Sequence, residues 1–133
     1  MTIAQVRTAL AAAVDGIAGV RATPYVTDAV ATPQAIVVVD EIDYEQIFEG
    51  GLATYSYRVI VYAQRSSERA AQILLDTLRE PTGSTSIRAV IEADTGVKAL
   101  VSWVVVRSVS ADQIAKVGDI DYLAAEWQLQ VGV

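Results

Sequence analysis

The chain has 133 residues, a formal net charge of −6, 53% apolar residues and neither cysteine nor histidine. Those two absences exclude disulfides, thiolate chemistry, thiol metal sites and every Ser-His-Asp or Cys-His arrangement. The acidic balance argues against nucleic acid as an attractive partner, since phosphate binding needs clustered Lys and Arg and the ten basic residues are scattered. One domain over residues 1–133 is expected, and the high apolar fraction with only 20% charged residues points to apolar surface covered by other subunits. No apolar run nears the roughly 18–20 residues of a membrane span. Arg7 ahead of Leu10 to Val14 reads as helical amphipathicity better than as a signal segment. The expectation is a soluble, acidic α+β domain made inside the cell.

Thr2 followed by Gln5 forms a capping box, and Ile3, Val6, Leu10, Val14 and Ile17 then share one helical face, predicting a first helix over about 3–15. Val20 to Val26 is a short extended piece broken by Pro24, and Thr27 to Gln34 is loop-like. Ala35 to Val39 is a β-branched run, as of a strand covered on both faces. Asp40, Glu41, Asp43, Glu45 and Glu49 then place five acids within ten residues, with no base among them. Gly50-Gly51 is a two-residue hairpin signal. Its register sets Ile42 opposite Val59, Asp43 opposite Arg58 and Tyr44 opposite Tyr57. One face would then collect the tyrosines and the other Asp43, Glu45, Ser56 and Arg58.

A strand over Ala53 to Gln64 and a second helix over Ser67 to Glu80, stopped by Pro81, follow. A short third helix starts at the Ser86 cap, with Ile87, Val90 and Ile91 inward, and is closed by Gly96. Leu100 to Val106 is a Trp-bearing strand, Ser108 to Gln113 a connection, and Gly118-Asp119 the turn of a second hairpin. In the last strand Leu123, Ala125, Trp127, Leu129 and Val131 alternate with Tyr122, Ala124, Glu126, Gln128 and Gln130, giving one face to a core and one to water or an interface. The architecture expected is α+β: a four- to five-stranded, mainly antiparallel sheet with two main helices on one face, plus a short third helix.

The search for chemistry yields little. No Walker A pattern and no G-x-G-x-x-G after a strand is present. Asp119 and Asp121 could touch a hard cation, but two carboxylates at a turn more often bond their own backbone. Asp43 and Glu45 beside Tyr44 and Tyr57 invite comparison with a small isomerase, yet the register puts acids and tyrosines on opposite faces. Trp103 and Trp127 sit among core-type positions, so packing is their expected role ahead of interface contact. No catalytic, cofactor-binding or metal-ligating residue is assigned, and no cofactor and no enzymatic activity are expected.

Several stretches together carry a resemblance over nearly the whole length. They are Thr2-Ile3-Ala4-Gln5-Val6-Arg7-Thr8-Ala9-Leu10, Gly16-Ile17-Ala18-Gly19-Val20-Arg21, Pro24-Tyr25-Val26 and Thr32-Pro33-Gln34-Ala35-Ile36-Val37. Further on come Thr54-Tyr55-Ser56-Tyr57-Arg58-Val59, Ser67-Glu68-Arg69-Ala70-Ala71-Gln72, Ser86-Ile87-Arg88-Ala89-Val90-Ile91 and Val117-Gly118-Asp119-Ile120-Asp121-Tyr122-Leu123. In this texture the chain resembles the tail terminator (tail completion) proteins of long-tailed bacteriophages (siphoviruses), particularly those of actinobacterial hosts.

The resemblance implies a structural virion protein: a ring, usually a homohexamer, at the head-proximal end of the tail. It would stop polymerisation of the tail tube protein and offer a docking surface to the head-side connector protein. Assembly would take place in the bacterial host cytoplasm, with no membrane involved. Composition is compatible, because a domain of this length has a radius of gyration of about 14 Å and cannot surround a duplex alone. Six copies would carry −36 formally, letting DNA pass through without specific binding. Asp40, Glu41, Asp43, Glu45 and Glu49 are the candidate lumen or ring-end acids, and Tyr122, Glu126, Gln128 and Gln130 the candidate subunit interface. The alternatives are another head–tail joining (connector or adaptor) protein, or a small carboxylate-dependent enzyme or ligand-binding domain.

Overall fold

A capping box opens the structure: the Thr2 hydroxyl accepts from the Gln5 amide at 3.1 Å while Gln5 Oε1 accepts from the Thr2 amide at 2.8 Å. With two otherwise unpaired amides satisfied, helix α1 (Ile3–Asp15) buries Val6, Leu10, Ala11, Ala13 and Val14 along one stripe. The computed structural model describes residues 2–25, 32–43, 53–65 and 69–132. After α1 come β1 (Arg21–Thr23), β2 (Gln34–Asp43), β3 (Thr54–Arg65), α2 (Arg69–Arg79), α3 (Ile87–Ala93), α4 (Thr95–Lys98), β4 (Trp103–Val109), β5 (Gln113–Val117) and β6 (Ile120–Gly132).

The fold is α+β with a mixed six-stranded sheet in the order β1-β2-β3-β6-β4, and β5 pairs the other end of the β6 edge that β4 occupies. All pairs are antiparallel except β1 with β2, which is parallel. The sheet is thus larger than the four or five strands expected, and one edge has the opposite polarity. The long strands β3 and β6 pair along almost their whole length at its centre.

Alternation along these strands sends one set of side chains to the helices. Ala35 and Val37 from β2, Tyr57, Val59 and Val61 from β3, and Leu123, Ala125, Trp127, Leu129 and Val131 from β6 join one core cluster. The inner stripes of all four helices, among them Leu10, Leu75, Leu78, Ile87, Ile91 and Val97, belong to the same cluster. Among the described residues, helices therefore cover one face and leave the other without them. No helix among the described residues is long and apolar enough to cross a membrane.

Three expectations need correction. Ile42 lies opposite Tyr55 and Asp43 opposite Thr54, so the β2–β3 register is displaced by four residues from the one centred on Gly50-Gly51. Burial decides it: Val37 sets against Val59 and Ala35 against Val61, and a bulge between Val39 and Glu41 takes up the extra residue Asp40. Gly50, Gly51, Tyr44 and Phe48 lie outside the described residues. Second, Gly96 does not close α3. Asp94 ends that helix and also caps α4, accepting from the Val97 amide at 2.9 Å, and Gly96 sits within α4. Third, Ser108 and Val109 continue β4 and Gln113 begins β5, so the connection shrinks to 110–112.

Candidate functional site

The helix-free face of the sheet holds every described residue of the two candidate sets, with Tyr122 at one end. The bulge turns both Asp40 and Glu41 outward from β2; Glu41 then aligns with Ser56 on β3, Gln130 on β6 and Val105 on β4. Val38, Arg58, Gln128 and Ser108 form the next row. Asp40 and Glu41 are exposed and Asp43 half-buried. Glu45 and Glu49 lie outside the described residues.

Arg58 joins the two candidate sets. Its Nε stands 3.2 Å from Asp40 Oδ1 and its Nη1 3.3 Å from Glu126 Oε2. One guanidinium thus offsets two carboxylates from neighbouring strands. The Gln130 amide is held from both sides, accepting from Arg107 Nε at 3.0 Å and donating to Ser56 Oγ at 3.5 Å. Tyr122, buried, meets Tyr62 edge to face with ring centroids 6.1 Å apart. Gln128 is the exposed member of its set.

A depression of about 300 Å³ opens in this face, lined by Glu41, Asp43, Thr54, Ser56, Trp103, Arg107 and Gln130. An adjoining hollow of about 210 Å³ touches Asp40, Glu41, Arg107, Gln128 and Gln130. Trp103 differs from its expected place in the core. It is half-buried on the helix-free face, with its indole lying over Gly132 on the neighbouring strand, whereas Trp127 is 2% exposed in the core. Sequence reading put Arg58 on the acids' face, opposite Asp43, without its contacts to Asp40 and Glu126, and it missed Arg107 and Trp103 as parts of this surface. Each carries an outward position on its strand, but only the strand order shows which of them meet.

The surface can accept and donate hydrogen bonds over a broad, shallow area and presents a strip of negative charge along β2. Among the described residues no group of three or more Asp or Glu side chains is placed to hold a metal ion. Asp119 lies in the tight β5–β6 turn, where Gly118 takes φ of 63°, and Asp121 follows on β6 opposite Lys116. Asp43 and Tyr57 are on opposite faces, so the isomerase-like pairing does not form between them.

Tyr57 is a core residue, 1% exposed, whose hydroxyl donates to the Ile3 carbonyl at 3.4 Å. Burial pushes its pKa up to about 12 from 10.0, with Tyr55 adding to the rise and Arg7 opposing it. The unfolded chain loses this proton near pH 10, before the native state does. The contribution is therefore intact below pH 10 and is lost as pH rises toward 12. The wild type should lose stability between those values more steeply than Tyr57→Phe, by up to about 1.4 kcal/mol per pH unit. Urea unfolding at stepped pH measures it, and parallel curves for the two proteins would refute the assignment.

No protein-family model matches the chain, and no curated protein matches it in sequence.

Proposed function

We propose that the chain is a structural, self-assembling protein of a long-tailed phage: a tail terminator that forms a ring, a hexamer by resemblance, on the last layer of tail tube protein and receives the head-side connector. The observation that carries this reading is the helix-free sheet face, where Asp40, Glu41 and Asp43 run along β2 beside a broad polar surface of Arg58, Glu126, Gln128 and Gln130. Shallow polar area of this kind suits contact with other protein surfaces better than enclosure of a small molecule. The charge of the strip repels polyanions, which fits DNA passing through a lumen without being held.

The test is assembly. Light scattering of purified protein with and without tail tubes, followed by negative-stain images, should show annuli alone or capping the tubes, with tube growth halted. Tubes that elongate unimpeded beside unassembled protein would overturn the proposal. Lumen charge has its own readout. Rings carrying Glu41→Lys and Asp43→Lys should retard linear duplex DNA in low-salt gels where wild-type rings do not. Equal mobility with both rings would remove this strip from the channel.

A further inference from the structure

The edges of the sheet are not treated alike. On the β1 edge the Arg21 amide donates inward to the Pro33 carbonyl, which leaves the Ala22 amide pointing away from β2. That amide donates to Asp15 Oδ1 at 3.0 Å, from the end of α1. On the β4 edge the Val106 amide turns away from β6 and donates to Glu92 Oε2 at 2.9 Å, from α3. Each edge thus has an outward donor occupied by a carboxylate on an adjacent helix, which blocks an incoming strand. The β5 edge has no such device among the described residues. Gln113, Ile114 and Lys116 are exposed there, with Ile114 at 70% the most exposed large apolar side chain among the described residues.

We propose that the outer edge of β5 is a docking surface for a second copy of this chain, pairing antiparallel with that copy's β5 across a twofold axis. The tight turn makes Val117 and Ile120 the closing pair of the hairpin. Ladder bonds to β6 then fall on Gln113, Ala115 and Val117, so the peptide groups of Ile114 and Lys116 point outward. Centred on Ala115, two copies set Ile114 of each opposite Lys116 of the other, with four backbone hydrogen bonds and no like charges face to face. Two of the three acids around β5 have a base beside them, Asp121 opposite Lys116 and Asp112 paired with Arg79. Acidic β2 lies three strands away, about 14 Å by strand spacing and beyond the screening length of about 8 Å at physiological salt. A twofold pair uses this edge on both copies at once, so pairing here ends at two copies and does not carry the sheet around a ring. The inference goes beyond the ring reading and stands without it. A five-residue strand pair buries far less than the about 1,200 Å² of a standard interface, so association is weak and concentration-dependent.

The test is sedimentation or light scattering over a concentration series with wild type, Ile114→Lys and Ile114→Glu. In the proposed register Ile114→Lys faces Lys116 of the second copy and Ile114→Glu faces it with opposite charge. The Lys variant should associate at least about tenfold more weakly than the Glu variant. Repulsion between whole acidic molecules predicts the reverse order, since Lys lowers and Glu raises the net negative charge. Loss of an apolar contact alone predicts that both weaken equally. Either of those two results, or a wild type that stays monomeric up to about 1 mM, overturns the proposal. Annuli that form equally with all three proteins, without this ordering in the concentration series, would sink β5 pairing while leaving the ring reading intact. A preserved ordering without annuli would do the opposite.

Discussion

Trp127→Ala is expected to lower the unfolding free energy by about 3–5 kcal/mol, the range for emptying a buried aromatic site. Against a total of about 5–15 kcal/mol for a domain, that leaves a protein near its limit. The side chain is the largest among those fully buried, lies on the central strand β6 between Val59 on β3 and Val109 on β4, and belongs to the cluster that the helices close over. Neighbours fixed in two ladders cannot collapse into the space it leaves, so the cavity persists. Urea unfolding followed by far-UV circular dichroism measures the loss. Trp103→Phe, on the helix-free face, is the companion measurement and should cost much less. A Trp127→Ala loss under about 1 kcal/mol would mean that the core repacks around the gap.

Gly132→Ala is expected to cost about 1–3 kcal/mol through crowding at a surface pair. A Cβ at this position would lie 1.9 Å from Trp103 Nε1 and 2.2 Å from Cε2, so the indole has to leave its seat. Glycine is required here by close approach, and the indole fills the space that a side chain on β6 would occupy. The cost should vanish in a Trp103→Ala background, because the obstruction is gone. A double-mutant cycle on the two sites therefore yields a coupling equal to that cost, about 1–3 kcal/mol. Additive effects would show that Trp103 is already displaced in solution.

Local signals in the sequence translated well into structure. The Thr2–Gln5 box, the Ser86 cap, the Gly118 turn and the alternation of β6 from Ala125 to Val131 are present where the residues put them, whereas Tyr122 and Ala124, expected on the open side, are buried. Each of these depends on neighbours a few positions apart. The β2–β3 register depends on which buried pairs fit best, and there the apolar run of β2 outweighed the turn signal. At Ile42 and Asp43 the displacement is four residues, an even number, so both kept their faces, and the bulge brings Asp40 outward beside Glu41. Two elements had no periodicity to read: β1 has three residues and α4 has four. The Asp40–Arg58–Glu126 bridge was hidden for another reason. Its members come from three strands, and sequence does not reveal strand order.

The pairing of β3 with β6 has a kinetic consequence. Thr54 meets Gly132 and Arg65 meets Tyr122, so the sheet is zipped at its middle by stretches separated by more than fifty positions. Loop closure over such distances is met before any of the central hydrogen bonds form, while α1 and the β5–β6 hairpin can appear early from local contacts. The rate-limiting search is for that one long seam, and the helices settle on the sheet only after it has been found.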